Sequence, residues 1–181
     1  KGMMQKLLTR GIGHTKFKKV RWYFGKHLEI PEEWELNTLE SLTEKIRSGG
    51  TPKTDKKSFY DGGIPFVTIQ DITASDKYIE TTAKTLSEEG VKNSPAWKIP
   101  KNSLLFSMYA TIGKTVINKN SVSCHQGILG IVVDQNIMNL EFLYYALQRL
   151  RGQNLERYYL TGTQANLNLA ISKKLKILHP R

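Results

Sequence analysis

The stretch Ser107-Met-Tyr-Ala-Thr-Ile-Gly-Lys114, followed by Thr115-Val-Ile-Asn118, decides how the chain is read. It carries the Gly-Lys-Thr of a nucleotide-binding loop, but such a loop needs a glycine five positions before Gly113, and Met108 stands there. It also needs a helix to follow, with its positive end turned toward the phosphates. Thr115-Val-Ile-Asn118 is instead a β-branched run. Gly113-Lys114 is therefore expected to turn a hairpin between this strand and Leu104-Leu-Phe-Ser107, leaving Lys114 exposed at a loop tip.

Downstream, Ser121–Cys124 reads as a strand, His125-Gln126-Gly127 as a break and Ile128–Val133 as a buried strand. Asn139 is placed to cap an amphipathic helix from about Leu140 to Leu150, with a second helix near Asn154–Leu160. Gly162-Thr-Gln-Ala-Asn166 reads as a polar loop and Lys174–Leu178 as a last strand.

Upstream, Thr38 is expected to cap a helix running to about Arg47, with Leu39, Leu42 and Ile46 on one face and Gly49-Gly50 stopping it. Thr51–Lys57 is a polar loop, Pro65–Ile69 a strand with Gln70-Asp71 at its exit, Tyr78–Thr82 a short strand, and Ser87 the cap of a small helix. Residues 3–9 read as the last turns of a helix ended by Gly11-Ile-Gly13, and the basic, aromatic-dotted stretch from His14 to His27 has no periodicity. Short strands mixed with peripheral helices, without regular strand-helix alternation, give an α+β domain.

The 181 residues, 39% hydrophobic, suffice for one core with appendages. Lysine and arginine outnumber acidic residues 27 to 16, for a formal charge of +11, the balance of a protein that meets polyanions. Eight basic side chains and a single acidic one fall within residues 1–30, so the excess is concentrated in the N-terminal arm. Basic residues interleaved with aromatics, as at Phe17, Trp22, Tyr23 and Phe24, can grip a nucleic-acid backbone; they equally suit a solvated linker or a face that packs on another segment. Cys124 is the only cysteine, which excludes an internal disulfide and suits a reducing compartment, here the cytoplasm. Apolar runs are too short for a spanning helix, and no secretory signal is visible, so no membrane association is expected. The chain opens on lysine, which leads us to expect sequence upstream.

Catalytic motifs are weak. Ser107, Ser123 and Cys124 lack a nucleophile elbow, the four histidines lack zinc-ligand spacing, and Asp71 with Asp76 lack the acidic–x–lysine pattern of many nucleases. Asn93-Ser-Pro-Ala96 only faintly resembles the Asn-Pro-Pro-aromatic loop of adenine methyltransferases, and no glycine-rich cofactor loop accompanies it. No cofactor and no metal are expected. What recurs is a set of polar and basic loops carrying Thr51, Lys53, Lys56, Lys57 and Tyr60; Gln70; Tyr109, Thr111 and Lys114; Gln126; and Gln164 with Asn166. Such side chains read base edges and neutralise phosphates, and these twelve are the candidate DNA-binding residues.

Several tracts, in order, resemble the target recognition domain of the specificity subunit of type I restriction-modification systems. They are Ile30-Pro-Glu-Glu-Trp-Glu-Leu36, Gly49-Gly-Thr-Pro52, Ile64-Pro-Phe66 with Asp71-Ile72, Ala110-Thr-Ile-Gly-Lys114, His125-Gln126-Gly127 and Gly162-Thr-Gln-Ala-Asn166. His125 stands where that family usually has asparagine, and the chain ends before a second conserved helical segment. The resemblance implies a single recognition domain over residues 30–181, with a twisted, mostly antiparallel sheet of short strands, preceded over residues 1–29 by the end of a conserved spacer helix and a basic arm. It implies a non-catalytic module that reads one half of a bipartite DNA site. Partner methyltransferase subunits would methylate adenine, a restriction subunit would cut, and a second recognition domain or a self-dimer would read the other half. Two other readings stay open: a fragment of an adenine methyltransferase or nuclease whose catalytic part lies outside the chain, and a subunit-docking piece.

Overall fold

The structure, a computed structural model, describes residues 2–152 and 167–181. Its centre is the expected hairpin. Leu104–Ser107 and Thr115–Asn118 pair antiparallel in the register Leu104 with Ile117, Leu105 with Val116 and Phe106 with Thr115, and every residue of both strands is buried. Strands covered on both faces read as unbroken apolar runs rather than alternating ones, which is the pattern here.

Numbered in chain order, the strands are β1 (Phe17–Arg21), β2 (His27–Pro31), β3 (Trp34–Thr38), β4 (Thr43–Ser48), β5 (Tyr60–Val67), β6 (Tyr78–Ile79), β7 (Lys84–Leu86), β8 (Leu104–Ser107), β9 (Thr115–Asn118), β10 (Ser123–Cys124), β11 (Ile128–Val133) and β12 (Lys176–Pro180). The helices are α1 (Gly2–Arg10), α2 (Ile69–Ala74), α3 (Glu88–Lys92), α4 (Leu140–Gly152) and α5 (Leu169–Lys173). A five-stranded sheet runs β4-β11-β8-β9-β6, antiparallel except for the β6–β9 edge. A three-stranded sheet runs β10-β5-β7, and two antiparallel ribbons pair β1 with β2 and β3 with β12.

The period of two along each strand divides the core. Leu104, Phe106, Ile117, Leu129 and Ile131 face α4, packing with Leu143, Leu147, Leu150, Trp22, Trp34 and Ile177. Leu105, Val116 and Ile128 face the other way, onto Val67, Ile72, Ile99 and Val122. The α+β reading therefore holds, with α4 starting where Asn139 Oδ1 accepts the Phe142 N–H at 3.0 Å and α3 capped by Ser87. Across that layer the Lys77 ammonium, just before β6, pairs with Glu141 of α4 and lies near the Tyr78, Tyr144 and Tyr145 rings. Among the described residues no helix is long and apolar enough to cross a membrane.

Five local expectations are corrected. The helix expected from Thr38 to Arg47 is a single 3-10 turn, Glu40–Leu42, followed by β4. Leu39 and Leu42 are buried as foreseen, but from Lys45 onward exposure alternates, Ile46 and Ser48 half-buried and Lys45 and Arg47 exposed, an edge-strand pattern fixed by pairing with β11 and interrupted by a register shift at Glu44. The strand expected at Pro65–Ile69 is the end of the longer β5. It stops at Val67, because Thr68 and Asp71 form a reciprocal capping box that opens α2. The strand expected over Tyr78–Thr82 is confined to Tyr78–Ile79, and the final strand is delayed to Lys176 by α5, capped by Asn168. The stretch from His14 to His27 is ordered as the β1–β2 ribbon, whose Trp22 enters the core. The helix expected near Asn154–Leu160 and the Gly162–Asn166 loop lie outside the described residues.

Candidate functional site

The site begins with Gly49-Gly50, whose role is close approach rather than helix termination. Gly49 N–H donates to the Ile128 carbonyl at 2.8 Å and Gly50 N–H to the Cys124 carbonyl at 3.0 Å. A Cβ on Gly49 would collide with the Cys124 and His125 carbonyls, and one on Gly50 with the Pro95–Ala96 backbone. Only glycine lets the chain pass there, and the passage delivers Thr51 beside His125. Cys124, beneath Gly49, is fully buried, and burial pushes its thiol pKa well above the ordinary range.

From Thr51 the polar loop turns at Lys53–Lys56, where Lys56 N–H donates to the Lys53 carbonyl at 3.3 Å, and returns into β5. Tyr60 fastens it, its hydroxyl donating to the Pro52 carbonyl at 2.8 Å, and burial raises the phenol pKa. The open cleft, about 740 Å³, is lined by Thr51, Thr54, Lys57, Tyr60, Asp61, Phe66, Thr68, Lys84 and His125. Thr51 Oγ1 is buried with no hydrogen-bond partner among the described residues. Lys53 and Lys56 are exposed on the same loop.

His125 also walls a second hollow of about 560 Å³, shared with Ser48, Ile69, Tyr109 and Gln126. Its backbone is fixed by His125 N–H donating to Val67 O and by Ile128 N–H donating to His125 O, both at 2.9 Å. Nδ1 accepts the Gly127 N–H at 3.1 Å. A ring nitrogen that accepts carries no proton, so the proton sits on Nε2 and the imidazole is a neutral donor. Burial lowers its pKa, which favours the same neutral form.

The loop from Met108 to Lys114 borders this hollow. Met108 N–H donates to the Gly127 carbonyl, Gly113 N–H to the Ser107 carbonyl and Ser107 N–H to the Lys114 carbonyl, each at 2.9 Å. Gly113 takes φ +77 and Ile112 is buried, as the hairpin turn requires. Tyr109 is exposed at 42%. Lys114, expected at an exposed tip, is half-buried. Its ammonium donates to the Thr73 carbonyl at 3.1 Å in the last turn of α2, where a cation is favoured by the helix dipole. Thr111 lies beside the same residue, its hydroxyl 3.5 Å from that of Thr73. Thr115, the third member of the Gly-Lys-Thr, is buried and donates to Gly113 O at 3.1 Å.

The chain thus gathers Thr51, Lys57 and Tyr60 in one cleft and Tyr109 with Gln126 in the next. Gln70 is exposed on α2, the helix that Lys114 and Thr111 touch. Gln164 and Asn166 lie outside the described residues. The twelve candidates omit residues that line these hollows, among them Thr54, Thr68, Lys84 and His125, although Thr51–Lys57 and His125-Gln126 are among the polar loops marked in the sequence. The Cys-His-Gln-Gly break between two buried strands was the available signal for His125. Asp71, weighed for magnesium, is occupied: its carboxylate accepts from Thr68 N–H at 2.8 Å, the Thr68 hydroxyl at 2.6 Å and Ala83 N–H at 3.2 Å. Among the described residues no group of three or more His, Cys, Asp or Glu is arranged to hold a metal ion.

The model of the type I restriction modification DNA specificity domain matches residues 31–181. The type I restriction enzyme MjaIX specificity subunit of Methanocaldococcus jannaschii is 30% identical over 132 residues, covering 72% of this chain and 29% of that protein. The type I restriction enzyme HindI specificity subunit of Haemophilus influenzae is 30% identical over 153 residues, covering 83% and 33%. The crystal structure of the HsdS subunit from Thermoanaerobacter tengcongensis superposes with a TM-score of 0.63 at 15% identity, over 98% of this chain and 37% of that one, a likeness of fold. The chain spans about a third of the length of the curated relatives it matches.

Proposed function

The chain belongs to the type I restriction modification DNA specificity domain family, and from that membership we propose that it reads one half of a bipartite DNA target, directing adenine methylation and restriction carried out by partner subunits. On this reading it is a non-catalytic cytoplasmic module. Residues 1–29 form the end of a spacer helix and a basic arm, and residues 30–181 form the recognition domain. Its partners are double-stranded DNA, methyltransferase subunits and a restriction subunit, and the other half-site falls to a second recognition domain or a second copy. The family match does not favour the methyltransferase or nuclease fragment.

The observation that carries the reading is the pair of adjoining hollows joined at His125, whose lining includes Lys57, Lys84 and a Thr51 hydroxyl with no partner among the described residues. Thr51, Lys57, Tyr60, Tyr109, Gln126 and the neutral His125 are the base-facing set, joined by Gln70 and Thr111 along α2 and by Gln164 and Asn166 in the late loop. Lys53 and Lys56 serve phosphates, while Lys114 braces the Tyr109 loop against α2.

Mapping of methylated adenines tests it in cells carrying the full gene with its methyltransferase. Substitutions at Thr51, Tyr60 and His125 are expected to change the methylated sequence in one half of the site. An unchanged methylated sequence with undiminished occupancy would remove these residues from recognition. Absence of salt-dependent DNA affinity, alone or with methyltransferase subunits, would remove the function itself.

A further inference from the structure

Strand β5 is broken by a bulge beside the cleft. Tyr60 and Ile64 both stand opposite Leu86 of β7, so Asp61, Gly62 and Gly63 between them are left out of the register. An insertion of this kind bends a strand and re-aims the side chain it carries. The bulge is held in place. A Cβ on Gly62 would collide with the Ser87 backbone, and Gly63 N–H donates to the Thr85 hydroxyl at 3.3 Å. Asp61 turns the chain into the bulge at φ 58, in the left-handed region that glycine enters at no steric cost. The next two positions are glycine, and a third would serve the backbone better. The fold therefore gives no reason for the one side chain that the bulge carries.

That side chain is exposed and lines the cleft. Among the described residues it is the sole carboxylate of the lining, which it shares with Lys57 and Lys84. It forms an ion pair with neither, and it enters none of the ion pairs or side-chain hydrogen bonds among the described residues. Asp71, just beyond the same strand, is by contrast fully engaged by Thr68 and Ala83.

A free carboxylate in a cleft that faces DNA is repelled by phosphates, so it weakens binding to every sequence alike unless a base offsets the repulsion. In the major groove only cytosine and adenine present an amino group from which a carboxylate can accept, while guanine and thymine set acceptor oxygens against it. Adenine places its N7 acceptor beside that amino group, where it repels the second carboxylate oxygen. Cytosine has no acceptor beside its own. A carboxylate here favours cytosine by attraction and rejects guanine and thymine by repulsion.

We propose that Asp61 is a specificity-determining residue that accepts a hydrogen bond from the amino group of a cytosine in the half-site and lowers affinity for duplexes lacking it. This rests on the DNA-reading function above and adds to it the kind of base read at one position.

Selection of bound duplexes from a randomised half-site tests it, using the whole 181-residue chain alone and with methyltransferase subunits, with melting temperature followed in parallel. Asp61→Asn keeps the size and suits the left-handed backbone, but its amide can donate as well as accept. It should lose the preference for cytosine at one position by about tenfold or more, bind unrelated duplexes more tightly and leave the melting temperature unchanged. Asp61→Gly, which removes the group, should leave that position indifferent to the base and the melting temperature unchanged or raised. Base preferences intact in both variants, whatever the change in affinity, would overturn the proposal and leave DNA reading standing. A lost preference for a base other than cytosine would overturn it as well. If the unchanged chain selects no sequence and shows no salt-dependent affinity under either condition, the DNA reading fails, and the role of Asp61 with it.

Discussion

The Lys114 ammonium donates to the Thr73 carbonyl at 3.1 Å, latching the loop after β8 to the final turn of α2. The latch joins the loop that carries Tyr109 and Thr111 to the helix that carries Gln70. Lys114→Met keeps the aliphatic stem and removes the donor. It should lower stability by about 1 kcal/mol in urea unfolding, and DNA affinity should fall with it. Unchanged stability would mean that the carbonyl finds water equally good.

Gly49→Ala should be far more damaging than its size suggests. The added methyl meets the backbone carbonyls of Cys124 and His125, which cannot rotate away as a side chain can. A loss of about 2 kcal/mol or more is expected. Gly152→Ala meets nothing within 4 Å among the described residues and should be neutral or stabilising. Equal melting temperatures for the two variants would contradict the close approach.

Stability should decline as the solution is acidified from pH 7 toward 5, and His125 should account for a resolvable part of that decline. Above the ordinary value of 6.5 the imidazole is neutral in both folded and unfolded chains. As pH falls through 6.5 toward the lower folded value, the unfolded chain takes up the proton first, and stability is lost. His125→Asn should flatten the profile in this window. Glu141, whose carboxyl the Lys77 ammonium holds below the ordinary 4.5, contributes stability that is present above 4.5 and lost as pH falls through its lowered value. Glu141→Gln should therefore alter the profile only at more acid pH. Melting curves for the three proteins at half-unit pH intervals separate the two effects.

In binding, Lys53→Ala with Lys56→Ala should weaken affinity for many duplex sequences alike and reduce the salt slope by up to about 2. Gln164→Ala should change preference at one base pair, as should His125→Asn, because asparagine replaces a donor of fixed tautomer with a group that can both donate and accept. Binding measured across a randomised half-site distinguishes a uniform loss from a changed preference.

The elements legible in the sequence were those whose local chemistry and tertiary setting agree. The central hairpin is specified by β-branched residues on one side of Gly113, α4 by a periodic apolar face after Asn139, and α3 by the Ser87 hydroxyl. Residues 39–47 were misread because Leu39, Leu42 and Ile46 fit a helical spacing, while the strand alternation that prevails is fixed by β11, more than eighty residues away. The arm looked aperiodic because its cross-strand partners meet only when the chain folds back at Phe24. In the site, Thr51, Lys57 and Tyr60 were legible as neighbours in one loop, and their meeting with His125 was not. That meeting depends on Gly49 and Gly50 threading past Cys124, a long-range approach that leaves no local periodic trace.

The burial of Cys124 has a practical consequence. The chain's only thiol lies sealed under Gly49, protonated and out of reach of reagents, so maleimide labelling of the native fold should find no background. A cysteine introduced in place of an exposed residue becomes the single reactive position. Fluorophore pairs or spin labels can then be attached wherever the distance to bound DNA is wanted, with every native cysteine left in place.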